Sequence, residues 1–410
     1  MPYPVPNRSL HRFALLTAAS TLALVCVGGL VTSHGVGMSV PDWPNTYGYN
    51  MFFFPFSRWV GGIFYEHTHR LLASAVGLLT SVLAVWLYGR NARPLLRWGG
   101  MGLNFLGLGI AALVPAHWRD ALVLCVTGLF AFGASLVWPQ CEPAPVWLRR
   151  CGLAAFFAVV LQGVLGGLRV VLLEAQIGIF HATLAQLFFA LTCSVALFTS
   201  RWWLAQARTN TAARESQPGL GLRWLLLGTT LLILAQLVLG ATMRHQHAGL
   251  AIPDFPLAYG KLWPAMDPAA VASYNQHRLE VTAANPITAA QIVLQMVHRF
   301  MALLILAGVA LSAWLSRRRL GAGAPVSRLT ATWLGLILVQ VLLGAATTWS
   351  NKAADIATAH VLVGALALAL GTLLNLVAVR QFGWALRRQT ACSNAVEPDS
   401  LAGLGAKSCP

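Results

Sequence analysis

Gly37-Met38-Ser39-Val40-Pro41-Asp42-Trp43-Pro44 returns about 212 residues later as Gly249-Leu250-Ala251-Ile252-Pro253-Asp254-Phe255-Pro256, and each copy closes on Tyr-Gly, at Tyr47-Gly48 and Tyr259-Gly260. Self-similarity at this distance marks a duplication. Each copy follows an apolar segment and precedes another that carries His-Arg near its start, His69-Arg70 and His298-Arg299. Each half later opens a further apolar segment with one more histidine, His181 and His360. Four histidines therefore fall into two equivalent pairs. Imidazoles facing each other inside a helical bundle hold an iron porphyrin from both sides, so the pattern predicts one such site per half.

The chain is 410 residues long, 57% hydrophobic and only 10% charged. A soluble protein carries nearer 25% charged residues, so this is the balance of a membrane protein. Apolar runs of bilayer-spanning length, about 20 residues, read as ten spans near 13–33, 62–88, 98–115, 121–138, 151–170, 177–199, 223–243, 289–315, 329–349 and 356–379. The fold class expected is all-α and polytopic. It consists of two tandem four-helix bundle repeats related by a pseudo-two-fold axis along the membrane normal, with a helical hairpin inserted in the first half.

The net charge of +16 does not form a basic stripe with interleaved aromatics, which excludes a nucleic-acid partner. Instead the arginines alternate from loop to loop: Arg8 and Arg12, then Arg90, Arg93 and Arg97, then Arg149 and Arg150, then Arg201, Arg208 and Arg214, then Arg317 to Arg319, and finally Arg387 and Arg388. The positive-inside rule places those loops and both termini in the cytoplasm and sends both Pro-Asp-aromatic-Pro loops outward. The N-terminus reads as an uncleaved signal anchor. Cysteines lie in apolar spans, a cytoplasmic loop or the tail, and no Cys-x-x-Cys-His occurs, which speaks against covalent heme attachment.

The expected organisation is a first repeat over 1–199 with the inserted hairpin at about 98–138, a polar cytoplasmic linker over 200–222, a second repeat over 223–380 and a disordered cytoplasmic tail over 381–410. The repeats align helix by helix: Gly28-Gly29 with Gly240-Ala241, and Leu161-Gln162-Gly163-Val164-Leu165-Gly166-Gly167 with Val339-Gln340-Val341-Leu342-Leu343-Gly344-Ala345. Small residues at these points let helix backbones approach, and a glutamine there can hydrogen-bond between helices. The outer loops, rich in Pro, Gly and aromatics such as Phe52 to Phe54, read as a lid over the bundle mouth or an interfacial belt.

A lone intramembrane histidine is commonly a hydrogen-bonded structural residue, but four at duplicated positions and matched depth favour bis-imidazole ligation. Arg70 and Arg299 are guanidinium groups within apolar segments and need a partner, either a porphyrin propionate or a carboxylate such as Asp42 or Asp254. The halves differ at one telling place. Glu66 stands one turn before His69, whereas Gln295 stands one turn before His298. That asymmetry points to a catalytic first half and a cofactor-holding second half; the competing role for Glu66 is to balance Arg70 or His67. His67 itself points about 100° away from Glu66 around the helix and is expected beyond the ligand shell or at the surface.

Glu66-His67-Thr68-His69-Arg70, the duplicated loops, Leu-Gln-Gly-Val-Leu-Gly-Gly and the paired histidines together resemble the heme A synthase family over nearly the whole chain except the hairpin and tail. The resemblance implies a bacterial plasma-membrane enzyme that oxidises a ring methyl of heme O to the formyl group of heme A by successive hydroxylations, for terminal heme-copper oxidases. It further implies that His69 and His181 ligate the substrate heme O, that His298 and His360 ligate a permanent heme b, with the porphyrins toward the outer face, and that Glu66 is the essential glutamate. Heme O synthase and cytochrome oxidase assembly factors are the implied partners, and a homo-oligomer is left open. Two departures stand out. Neither outer loop carries the cysteine pair of many bacterial members, and the hairpin has no assigned role. A diheme b-type electron carrier would use the same histidines without needing Glu66, and the parallel repeats also fit a transporter.

Overall fold

The computed structural model describes residues 7–114, 116, 118–209, 220–277 and 286–382. Among these residues the regular structure is helical, with α1 (Arg8–Ser33), α2 (Gly61–Trp86), α3 (Ala92–Leu113), α4 (Trp118–Val137), α5 (Val146–Leu172), α6 (Ala175–Thr199), α7 (Arg201–Thr209), α8 (Leu220–His245), α9 (Pro268–Gln276), α10 (Ala289–Leu320), α11 (Pro325–Trp349) and α12 (Ala354–Phe382). A 26-residue helix such as α1 is ~39 Å long, enough to cross a bilayer. In lipid a helix satisfies its own backbone, and its hydroxyls follow suit: Thr17, Thr80 and Thr230 each donate to the carbonyl four residues back.

Nine described helices are long and apolar enough to span a membrane. The tenth expected span is α3, which forms but falls short in apolarity because Arg93, Arg97, Asn104 and five glycines dilute it. Two further boundaries differ from expectation. The linker begins with the amphipathic helix α7 rather than a loop, and α12 runs to Phe382, into the segment expected to be tail. Residues 210–219 and 383–410 lie outside the described residues, as do 1–6.

Two four-helix rings make up the body. In the first, α1 packs on α2, α2 on α5, α5 on α6 and α6 on α1; in the second, α8 packs on α10, α10 on α11, α11 on α12 and α12 on α8. The seam between rings joins α1 to α12, α8 to α6, and α6 to α12. Phe189 of α6 lies at its centre against Ala365 and Ala369 of α12, with Leu22 and Val25 of α1 packed alongside. The second ring is filled by Trp333, fully buried, whose indole N–H donates to Ala367 O at 2.8 Å.

The inserted hairpin packs chiefly on itself. Glycines set that contact: a Cβ on Gly100 would lie 2.6 Å from Gly128 O, and one on Gly107 would lie 2.8 Å from Ala121 O.

Candidate functional site

Each of the four paired histidines lies against a glycine of the neighbouring helix. A Cβ built on Gly28 of α1 would meet His69 Cε1 at 2.9 Å, and the corresponding distances are 3.3 Å from Gly166 to His181, 3.5 Å from Gly240 to His298 and 3.2 Å from Gly344 to His360. The small residues read from the sequence as sites of backbone approach thus make room for imidazole rings. Gln162 Nε2 donates to His181 O and Gln236 Nε2 to His298 O, each at 2.9 Å, so the glutamines do bond between helices. His69 and His181 lie within electrostatic reach of one another, and so do His298 and His360. All four Nδ1 atoms are buried without a hydrogen-bond partner.

Both duplicated loops fold alike, and both are pinned to the helix that follows them. Asp42 accepts from the amides of Tyr47 and Gly48 at 2.7 Å, and Asp254 accepts from those of Tyr259 and Gly260 at 2.7 and 2.8 Å. Partial burial pushes the Asp42 carboxyl up, but hydrogen bonds from the Gly48 and Tyr47 amides outweigh it, with help from the Arg70 charge, and hold it below its ordinary value of 3.8. Tyr47 Oη donates to Ser39 O as Tyr259 Oη donates to Ala251 O. The ring of Trp43 lies on Gly167 of α5, which explains the second glycine of Leu165-Gly166-Gly167: one makes room for His181, the other for the loop.

The pins are the residues singled out before each His-Arg pair. Glu66, 4% exposed, accepts from Val40 N at 2.9 Å through Oε2 and from Arg70 Nη2 at 2.7 Å through Oε1. In the copy, Gln295 Oε1 accepts from Ile252 N at 2.7 Å. Arg70 also donates to the carbonyls of Asp42, Asn45 and Val40, and Arg299 to those of Asp254 and Leu257. Both arginines are thus turned toward loop carbonyls. The aspartate side chains serve the turn instead of the guanidinium groups.

His67 is not a surface residue. It is fully buried, its Nδ1 lies 3.1 Å from Thr46 Oγ1, and the rings of Phe54 and Trp59 pack on it, so it anchors the first loop. His245 closes α8, against Gly178 of α6. His34 stacks on Tyr65 with ring centroids 4.6 Å apart.

Two charged residues that the repeat comparison passed over lie at the heart of the site. Arg169 of α5 lies within electrostatic reach of Glu66, His69 and His181. Arg244 of α8 crosses the seam to donate to Gly29 O at 2.7 Å and to Ser33 Oγ, and Ser33 in turn bonds Thr358 of α12 at 2.9 Å. The signal that could have found them is a guanidinium in the last turn or two of an apolar span.

These residues fit a porphyrin better than a bare ion. Among the described residues no three His, Cys, Asp or Glu side chains converge, whereas His69 with His181 and His298 with His360 lie within electrostatic reach as pairs. A ligating histidine needs a ring nitrogen free for iron, and each of the four rings keeps a buried Nδ1 without a protein partner.

The protein resembles several bacterial proteins along most of its length. The heme A synthase of Rhizorhabdus wittichii is 27% identical over 377 residues, spanning 90% of this chain and 93% of that protein. The heme A synthase of a Methylobacterium species (strain 4-46) is 25% identical over 391 residues, spanning 88% and 94%. A higher identity, 33%, is reached over 174 residues of the heme A synthase of Symbiobacterium thermophilum, 41% of this chain and 54% of that one. The family model for cytochrome oxidase assembly protein, COX15-CtaA, matches residues 118–372, a stretch that holds His181, His298 and His360. With more than half of its residues matched, this polytopic membrane chain belongs to the COX15-CtaA family of cytochrome oxidase assembly proteins.

Proposed function

We propose that this protein is a heme A synthase of the bacterial plasma membrane, an oxidoreductase that converts a ring methyl of heme O to the formyl group of heme A. The observation that carries this reading is an asymmetry within matched surroundings. Both pockets have paired histidines, glycine cradles and a pinned loop, yet the first has the carboxylate of Glu66 where the second has the amide of Gln295. Relatives that bear the name heme A synthase over about nine-tenths of their length support it.

In this reading His69 and His181 hold the substrate heme O. His298 and His360 hold a resident heme b, which supplies one-electron redox chemistry when bound. With water as the oxygen source, turning the methyl into a formyl group replaces C–H bonds by C–O bonds and releases protons to nearby bases and electrons to an external one-electron acceptor. Glu66 stands on the His69 face of α2 and accepts a proton as those bonds change. Arg70 and the Val40 amide keep its oxygens fixed, and the pinned loop covers the mouth and limits water. The alternation of arginines puts both termini in the cytoplasm and both pockets toward the outer face.

The test is co-expression with a source of heme O, followed by extraction and chromatography of the hemes. A heme A synthase yields heme A or its alcohol precursor; a b-type electron carrier returns the heme it was given, and that result would overturn the assignment.

A further inference from the structure

The last turn of α5 holds a half-buried cation, Arg169, whose needs the protein does not meet. Arg169 makes no hydrogen bond among the described residues, and its Nε is buried without a partner. Its Nη atoms lie 3.1 and 3.2 Å from where a Cβ on Gly37 would stand, so the guanidinium rests on the first residue of the pinned loop. Among the described residues Glu66 is the one carboxylate in electrostatic reach, and both of its oxygens are already engaged by Arg70 and Val40 N. Arg244 and His245 add further basic groups nearby. Basic side chains gathered beside the first pair of histidines, with the local acid already committed, call for an external anion.

The repeats sharpen this point. Counting from Gln162 and Gln340, the position of Arg169 is taken in the second half by Thr347, whose hydroxyl is satisfied by Leu343 O at 2.8 Å. Counting from Gly28 and Gly240, the position of Arg244 is taken in the first half by Thr32, which bonds Gly28 O at 2.6 Å. The arginine and threonine have traded places between halves. Arg244 is occupied by Gly29 and Ser33, whereas Arg169 is left with donors to spare.

We propose that Arg169 binds a carboxylate of the porphyrin held by His69 and His181, and so orients the macrocycle about the axis through its two histidines. Bis-imidazole ligation leaves rotation about that axis open. A charged contact at one edge closes it, and so decides which ring methyl stands near Glu66. This rests on the reading of the first pocket as a porphyrin site.

Full-length protein purified in detergent is titrated with hemin and, separately, with hemin dimethyl ester, whose carboxylates are blocked, and Soret absorbance is followed. With the second site already filled, wild type should bind hemin about 10- to 100-fold more tightly than the ester, the range expected for one charge-assisted hydrogen bond. Arg169→Gln should bring the two affinities together, and Arg169→Lys should restore part of the difference. Equal affinity of wild type for acid and ester would overturn the proposal, and that arm needs no variant to fold. Undiminished discrimination in Arg169→Gln would overturn it too. A wild-type protein that binds neither compound would instead remove the porphyrin site itself.

Discussion

Replacing Glu66 by glutamine separates chemistry from anchoring, because the second half already shows how an amide serves at this position. Gln295 accepts from Ile252 N at 2.7 Å, the bond that Glu66 makes with Val40 N at 2.9 Å. In Glu66→Gln the amide oxygen keeps the loop bond, and Arg70 loses its carboxylate contact of 2.7 Å while retaining carbonyls at 2.6, 2.9 and 2.9 Å. The pair is nearly enclosed, with side chains 9% and 5% exposed, so solvent does little to soften the loss. One charge-assisted hydrogen bond is worth about 1.5–3 kcal/mol. The three retained carbonyls keep the loss below the roughly 3–5 kcal/mol of a stripped buried charge. The variant should therefore melt at a lower temperature yet fold and hold its second-pocket heme. Product formation should fall by roughly 10²–10⁴, the usual contribution of a positioned base. The measurement is chromatography of extracted hemes, alongside hemochrome quantification and thermal loss of the Soret band. Heme A at the wild-type rate would refute a chemical role for Glu66. Loss of both hemes together with the fold would reduce it to a loop anchor.

His298→Ala should strip the resident heme while leaving the first pocket able to bind hemin, and full heme content after purification would contradict the ligand assignment. Gly28→Ala places a methyl 2.9 Å from His69 Cε1 and should abolish hemin binding in the first pocket, whereas Gly240→Ala, at 3.5 Å from His298 Cε1, should keep its heme. Equal heme loss in the two would show that the glycines do not shape the pockets. For Asp42 the folded carboxyl lies below its ordinary 3.8, so its contribution is complete above that value and fades as pH falls through the lower one. Asp42→Asn should lower wild-type stability at pH 7 and narrow that gap as the pH drops below 3.8; a gap independent of pH would mean that ionisation of this group is irrelevant to the loop.

The all-helical, membrane-spanning architecture was legible in the sequence, since apolar runs report directly on helices. What Arg70 bonds was legible only in part: Glu66 stood among its candidate partners, and the structure joins the two at 2.7 Å. Its partners are mainly backbone carbonyls of Val40, Asp42 and Asn45, which any sequence offers and which only the fold of the loop brings into range. Of the two places open to His67 the surface is excluded, because an angle around a helix says where a side chain points, not what folds over it; here Phe54 and Trp59 do. Arg169 and Arg244 escaped for a different reason. Comparing repeats highlights positions that match, and these two arginines stand at positions that do not.

The seam of α1, α6, α8 and α12 carries one more consequence. Its contacts are those that two identical four-helix chains would make across a two-fold axis: α6 meets its own counterpart α12, and α1 meets α12 as α8 meets α6. In a true homodimer every side chain appears twice, so an acid placed beside one cofactor is placed beside both. Joining the copies end to end removes that constraint. Glu66 and Gln295, like Arg169 and Thr347, can differ at matching positions only because a single gene now writes each lobe separately.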